Sequence, residues 1–223
     1  MKKTKFLLFF IYTINFFSQT NEKEALVWFD NIVGQKNLDI NIGVRYVEKY
    51  RSLEGNYHFL FNNQFNKSTI KYENQTYYEV PLKYDILDQN IIVNIPSERE
   101  NYSLILNKSK IESFVLFNKL FVNLKEHGIN EKLYANNKVT LFKKYSNHAS
   151  TFIHKNNYFN KFSLNLKYLI SIKGKYYSAN SKKELKKIFL TKKNLINNYF
   201  SNNKKKFRDS KDDFFIELLK KLN

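Results

Sequence analysis

The sequence predicts an α+β fold: an antiparallel β-meander or partly closed barrel, opened by a short N-terminal helix and closed by two or three C-terminal helices. Three observations carry this prediction. Between residues 43 and 179 apolar and polar side chains alternate in short runs broken by Asn, Asp or Gly, the period-two pattern of half-buried strands in sequential hairpins. From residue 181 onward the apolar spacing changes to three and four, the period of an amphipathic helix, and the helices carry capping residues. Tyrosine, phenylalanine and leucine are abundant enough to fill a core, with 16 Tyr and 21 Phe in 223 residues.

The first element is expected to be a leader at residues 1–18. Lys2, Lys3 and Lys5 form a positive start, and Phe6 to Phe17 is an apolar run too short to span a bilayer, as in a secretory signal peptide. A cut after Ser18 leaves Phe16 at the third position before it, where a small residue is usual. The remaining 19–223 is expected to form one α+β domain. Cysteine is absent, which excludes disulfides, a thiol nucleophile, a zinc–cysteine site and a cysteine-borne lipid anchor. The expected location is therefore the periplasm or cell envelope, for a protein that is not a lipoprotein and has no transmembrane helix in its mature chain.

A helix over 24–34 places Leu26, Phe29, Ile32 and Val33 near one face, with Gly34 as its C-cap. Ser68 to Tyr72 and Thr76 to Tyr84 read as paired strands around a turn at Glu73, Asn74 and Gln75. In the second, Tyr78, Val80, Leu82 and Tyr84 share one face, and Pro81 places the strand at an edge or at a bulge. The turn Leu87 to Gln89 leads to Ile91 to Ile95. Further strands are expected at Tyr102 to Leu106, Ile111 to Phe117, Leu120 to Leu124, Lys132 to Ala135 and Val139 to Tyr145. Asn118-Lys119 and Asn136-Asn137 supply turns. Tyr168 to Ile172 and Lys175 to Ala179 pair across Gly174, while 146–166 reads as a mobile loop anchored by Phe159 and Phe162.

In the tail, Ser181 and Glu184 form a capping box, Thr191 can cap a second helix and Ser210 a third. Asp212 and Asp213 favour the start of that last helix, and Lys220 and Lys221 its end. Phe215, Leu218, Leu219 and Leu222 face inward. Such helices are packed elements.

The formal net charge is +18, but only four of 38 basic residues are arginine. Lysine is a point charge without the bidentate fork that reads guanine or phosphate, so the composition weakens a nucleic-acid reading. Residues 151–223 hold 18 basic and 5 acidic side chains. Helical charge runs usually face water; as a functional surface, Lys186, Lys187, Lys192, Lys193, Lys204, Lys205 and Lys206 would attract an anionic membrane or polyanion.

No catalytic or cofactor motif rises above chance, and no cofactor is expected. His58, His127, His148 and His154 lack metal-ligand spacing, although His148 and His154 share a segment and could converge. Glu98 and Glu100 flank Arg99 in what reads as a solvated turn. Asp85 is expected to cap the following turn through backbone N–H groups, with orientation of a ligand or an ion pair to Lys83 or Arg51 as the alternatives. A helical C-terminus without a final aromatic strand argues against an outer-membrane barrel.

Asn41-Ile42-Gly43, Tyr46-Val47-Glu48-Lys49-Tyr50-Arg51, Tyr72 to Tyr77, Val80 to Asp85, Glu112-Ser113-Phe114, Leu141 to Tyr145, and Lys175 to Tyr177 leading to Ser181-Lys182-Lys183-Glu184-Leu185 are spread along most of the mature chain. In these segments the chain resembles a family of exported, functionally uncharacterised proteins of Bacteroidota-type bacteria. The resemblance implies export and carries no catalytic residue. The expected role is a non-enzymatic binding, adaptor or structural protein of the cell envelope, with an envelope protein or an anionic surface as partner. An enzyme without a recognisable motif is the remaining alternative.

Overall fold

The computed structural model describes residues 22–33, 38–97 and 101–222. The leader, the cap expected at Gly34 and the Glu98, Arg99, Glu100 cluster lie outside the described residues. Helix α1 spans Glu22–Val33. Eleven strands follow: β1 Val44–Arg45, β2 Asn66–Tyr72, β3 Gln75–Asp85, β4 Asn90–Ile95, β5 Tyr102–Ile105, β6 Ile111–Leu116, β7 Lys119–Asn123, β8 Ile129–Ala135, β9 Val139–His154, β10 Asn157–Ile172 and β11 Lys175–Ser178. Four helices close the chain, α2 Lys182–Ile188, α3 Lys193–Asn202, α4 Lys204–Asp209 and α5 Lys211–Leu222. No helix among the described residues is long and apolar enough to cross a membrane.

All eleven strands form one antiparallel sheet in the order β1-β5-β4-β3-β2-β6-β7-β8-β9-β10-β11, with β1 and β11 at its open ends. Two meanders thus run outward from β2. The short link between them dictates curvature. Ile105 aligns with Ile92 and so with Lys83, whereas Ile111 aligns with Tyr72 and so with Gln75. In a flat sheet those ends would stand roughly 30 Å apart, but the chain between them can reach only about 20 Å. The sheet therefore folds over itself.

A bulge in β3 marks where the fold can bend. Ser68 pairs with Val80 and Ile70 with Tyr77, so one residue of β2 faces two of β3, and Glu79 takes a positive φ of 56°. Pairing with β4 begins only at Leu82, just past Pro81. The bulge also corrects the expected facing. Tyr77, not Tyr78, joins Leu82 and Tyr84 in the core, because the extra residue reverses the alternation on its N-terminal side.

Four hairpins share one turn chemistry. Glu73-Asn74, Phe117-Asn118, Lys155-Asn156 and Lys173-Gly174 each place two consecutive residues at positive φ, with Asn or Gly second, as a two-residue turn matched to strand twist requires. The third overturns the expected loop at 146–166. Those residues belong to β9 and β10, paired in unbroken register from Val139↔Ile172 to His154↔Asn157. Frequent Ser, Asn and His on both faces hide the alternation, but backbone pairing does not require apolar side chains.

The core has two parts. In the first, the Phe114 and Phe121 rings stack at 4.9 Å, with Tyr84 edge-on to both, and Ile70, Tyr72, Ile91 and Val93 surround them. In the second, Val139, Leu141, Tyr168 and Ile170 meet Leu185, Ile196, Phe214, Phe215, Leu218 and Leu219 of the tail helices. Each fully buried large apolar side chain contributes about 1.5–3 kcal/mol. The tail is thus a packed cover. The capping box of Ser181 and Glu184 is present, whereas Thr191 lies in a 3-10 turn and Lys192 precedes α3 without a side-chain cap. Helix α1 lies along β3 with Lys23 paired to Glu79. Its Ile32, expected inward, is largely exposed, as is Trp28.

Candidate functional site

Two buried polar clusters account for the charged side chains inside the protein. The first lies where residues 46–65 cover β3. Asp85 Oδ1 accepts the N–H groups of Leu87 and Asp88 at 2.9 and 3.0 Å, capping the turn to β4. Its other oxygen stands 3.8 Å from His58 Nε2. The Tyr46 hydroxyl donates to Glu48 at 2.8 Å and lies 3.4 Å from the same nitrogen. Burial holds His58 below its ordinary pKa, although Asp85 and Glu48 pull upward. Burial likewise pushes the Asp85 carboxyl up against those two backbone hydrogen bonds and His58. A neutral imidazole beside a capping carboxylate results.

The turn cap expected of Asp85 is present, and neither alternative ion pair, to Lys83 or Arg51, forms. Lys83 donates to Asn63 Oδ1 at 3.0 Å and sits over the Phe59, Phe65 and Tyr46 rings at 3.9, 4.8 and 5.5 Å. This cage offers π-electron density to a half-desolvated ammonium, whose pKa burial lowers. Arg51 instead bonds Asn157 and covers the Phe159 ring. His58 and Asp85 are only 2% and 1% exposed. Their geometry would suit proton transfer, but dissolved substrate does not reach them; they fasten the 46–65 segment to the sheet.

The second cluster joins the sheet to the tail. Glu131 on β8 faces Lys143 on β9 in direct cross-strand register. It pairs with Lys143 at 3.2 Å and Lys119 at 2.7 Å, and accepts the Tyr145 hydroxyl at 2.6 Å. Lys143 continues to Asp212 in the first turn of α5, which also accepts the Tyr168 hydroxyl at 2.7 Å. Burial and these acceptors push both tyrosine hydroxyls far above the usual range. No side chain in the chain of contacts lacks a partner.

The lysines singled out in the tail are distributed over three successive helices. Lys186 and Lys187 lie on α2, Lys192 and Lys193 at the start of α3, and Lys204 to Lys206 at the start of α4. Lys206 is occupied by Glu217, which also accepts the Tyr199 hydroxyl. His148 and His154 do not converge. Six residues separate them on β9, roughly 20 Å in an extended strand. Among the described residues no group of three or more His, Cys, Asp or Glu side chains is placed to hold a metal ion.

A different surface emerges from topology. Residues 132–183 contain eleven lysines and no Asp or Glu, and they form most of β8 together with β9, β10 and β11. Sequence reading divided the charge at residue 151, which hid this acid-free block behind the helices. Its distal hairpin is held at two edges: Asn147 N–H donates to Ile86 O, and Asn160 N–H donates to Arg51 O, with Asn56 bonded twice to the Phe162 backbone. Beyond these anchors, Ile153 and Tyr158 form a cross-strand pair that is 66% and 72% exposed. Lys155 lies in the turn, while Lys161 and Arg51, which covers the Phe159 ring, lie on the opposite face of the hairpin from that pair; all three are exposed.

No protein-family model, curated protein or solved structure matches the chain.

Proposed function

We propose that this chain is an exported, non-enzymatic binding protein of the cell envelope that docks on an anionic lipid surface through the β9–β10 hairpin. The observation that carries the proposal is the acid-free block of 132–183 ending in the exposed Ile153–Tyr158 pair. Cations draw the hairpin to anionic head groups, and the apolar pair enters the interface. Each lysine or arginine near such a surface contributes about 1 kcal/mol. Arg51, Lys155 and Lys161 together then favour binding on the order of a hundredfold. The rigid anchors at Asn56 and Asn147 limit the ordering cost. Export, which the expected leader and the resemblance to an exported family would entail, would bring such a surface within reach.

The hairpin is a better candidate than the tail because Glu184, Asp209, Asp212, Asp213 and Glu217 interrupt the tail lysines. Co-sedimentation with phosphatidylglycerol-containing and purely phosphatidylcholine vesicles across a salt series tests the proposal. Binding confined to the anionic vesicles, weakened by salt and lost in Ile153→Asp/Tyr158→Asp, is expected. Equal binding to both vesicles, no binding, or an unaffected variant refutes it, and preferential retention on an oligonucleotide column would reassign the surface to nucleic acid.

A further inference from the structure

A cleft of about 540 Å³ opens on the sheet, lined by Gln89, Lys108, Ser109, Asn123, Lys125, Glu126, Gly128, Ile129 and Lys144. Three of these side chains are ammonium groups. Lys144 is half-buried and donates to the His127 carbonyl at 3.0 Å, while Lys108 donates to the Asp88 carbonyl at 3.0 Å. A carbonyl orients an ammonium but does not neutralise it, and each retains donors for a ligand. No ion pair involves Lys108, Lys125 or Lys144 among the described residues.

The cationic character is reinforced from the neighbouring strand. Lys144 lies directly opposite Lys167 in the β9–β10 register, and like charges at opposed positions are destabilising. Both burial and Lys167 depress the Lys144 pKa. The lining also holds one exposed carboxylate, Glu126, which the three ammonium groups outnumber. Three further polar walls are committed elsewhere: Gln89 Nε2 donates to Ile86 O and Tyr145 O, Asn123 Nδ2 donates to Lys108 O and Ile111 O, and Ser109 Oγ donates to Asn107 Oδ1. They set a rigid outline and leave the lysines to meet the ligand.

We infer that this cleft is a binding site for a phosphate group, held by Lys108, Lys125 and Lys144. Its volume suits a small organic phosphate. Lysine binds phosphate as a point charge without a fork, and three ammonium groups around one cleft suit a multiply charged oxyanion better than a singly charged carboxylate. The ligand would also relieve the repulsion between Lys144 and Lys167. The site is independent of the exposed hairpin pair.

The test titrates the full-length mature chain with inorganic phosphate, glycerol 1-phosphate and, at matched ionic strength, sodium chloride, read by calorimetry and thermal shift. Saturable binding of a phosphate compound but not chloride is expected. Lys144→Met and Lys108→Met, which keep the side-chain stem, should each weaken it at least about tenfold, as loss of one charge-assisted contact implies. Lys167→Glu should raise the melting temperature without ligand and weaken binding, a pair of effects that a merely unfolded variant cannot show. Lys187→Met should bind as the parent does. A parallel arm uses phosphatidic acid vesicles with the Ile153→Asp/Tyr158→Asp variant. Competition between vesicle and glycerol 1-phosphate at the lysine site would assign the phosphate to a lipid head group, and binding of the soluble compounds alone to a free metabolite. Chloride-like responses to all phosphates, or unchanged affinity in Lys144→Met, overturn the site.

Discussion

Glu131→Gln is expected to lower stability by about 2–3 kcal/mol, out of proportion to so small a change. The substitution keeps volume and an acceptor for Tyr145 but removes the charge facing Lys143. The side chains of Glu131 and Lys143 are only 5% and 6% exposed, whereas that of Lys119 is 33% exposed. Breaking a buried pair at one end costs about 3–5 kcal/mol because the other charge stays buried. Asp212 still contacts Lys143, which reduces the expected loss. Lys119→Met, at the half-exposed end, should cost below about 1 kcal/mol. The double variant Glu131→Gln/Lys143→Met should cost less than the sum of its singles, since no unpaired buried charge remains. Urea unfolding followed by far-UV circular dichroism measures the parent, the three single variants Glu131→Gln, Lys143→Met and Lys119→Met, and the double variant; Trp28, being largely exposed, is a poor reporter. A loss below about 0.5 kcal/mol for Glu131→Gln, or equal losses for Glu131→Gln and Lys119→Met, would refute the reasoning.

Gly43→Ala should destabilise the protein by about 1–3 kcal/mol in the same assay, because its new Cβ would stand 2.4 Å from the Ile105 carbonyl oxygen. Replacing Lys155-Asn156 by Asn-Gly should raise the melting temperature by a few degrees, about 0.5–1 kcal/mol, since both turn positions have positive φ. At acid pH the unfolded chain protonates His58 near its ordinary pKa while burial keeps the folded imidazole neutral, so stability should fall as pH drops through about 6.5. Asp85, raised in the fold, acts oppositely, adding stability at low pH that is lost as pH rises through its folded pKa; Glu48, Asp88 and Lys83 also face the imidazole. His58→Gln should therefore flatten the melting-temperature curve between about pH 7 and 5.5. Tyr145 and Tyr168 remain protonated in the fold above the ordinary tyrosine pKa, so stability should decline as pH rises past about 10; absorbance at the phenolate band should show those two ionising only with unfolding.

The strands and helices were legible where a single rule decided them. Ser181 with Glu184 fixed the start of α2, and Asp85 was recognisable as a turn cap because a short carboxylate reaches the N–H groups two and three residues on. The distal β9–β10 hairpin was missed because Ser146, Asn147, His148 and Ser150 blur the alternation. Its signals were present: Lys155-Asn156 repeats the turn pattern of Glu73-Asn74, and Phe162, Leu164, Leu166 and Tyr168 alternate with Ser163, Asn165 and Lys167. The bulge at Glu79 and the Lys144–Lys167 opposition depend on register, which local propensity does not specify. The cleft proposed to take phosphate assembles side chains from distant turns and strands, so no local motif announces it.

Absence of native cysteine permits one fluorophore at a chosen position without background labelling. Asn156→Cys at the hairpin turn and Lys205→Cys on α4, each carrying an environment-sensitive dye, should be mixed with phosphatidylglycerol-containing vesicles at low and high salt. We expect a blue shift and increased intensity from the hairpin label at low salt, reversed by high salt, with the tail label unchanged. A shift from the tail label alone would contradict docking through β9–β10, and silence from both would contradict docking on an anionic lipid surface.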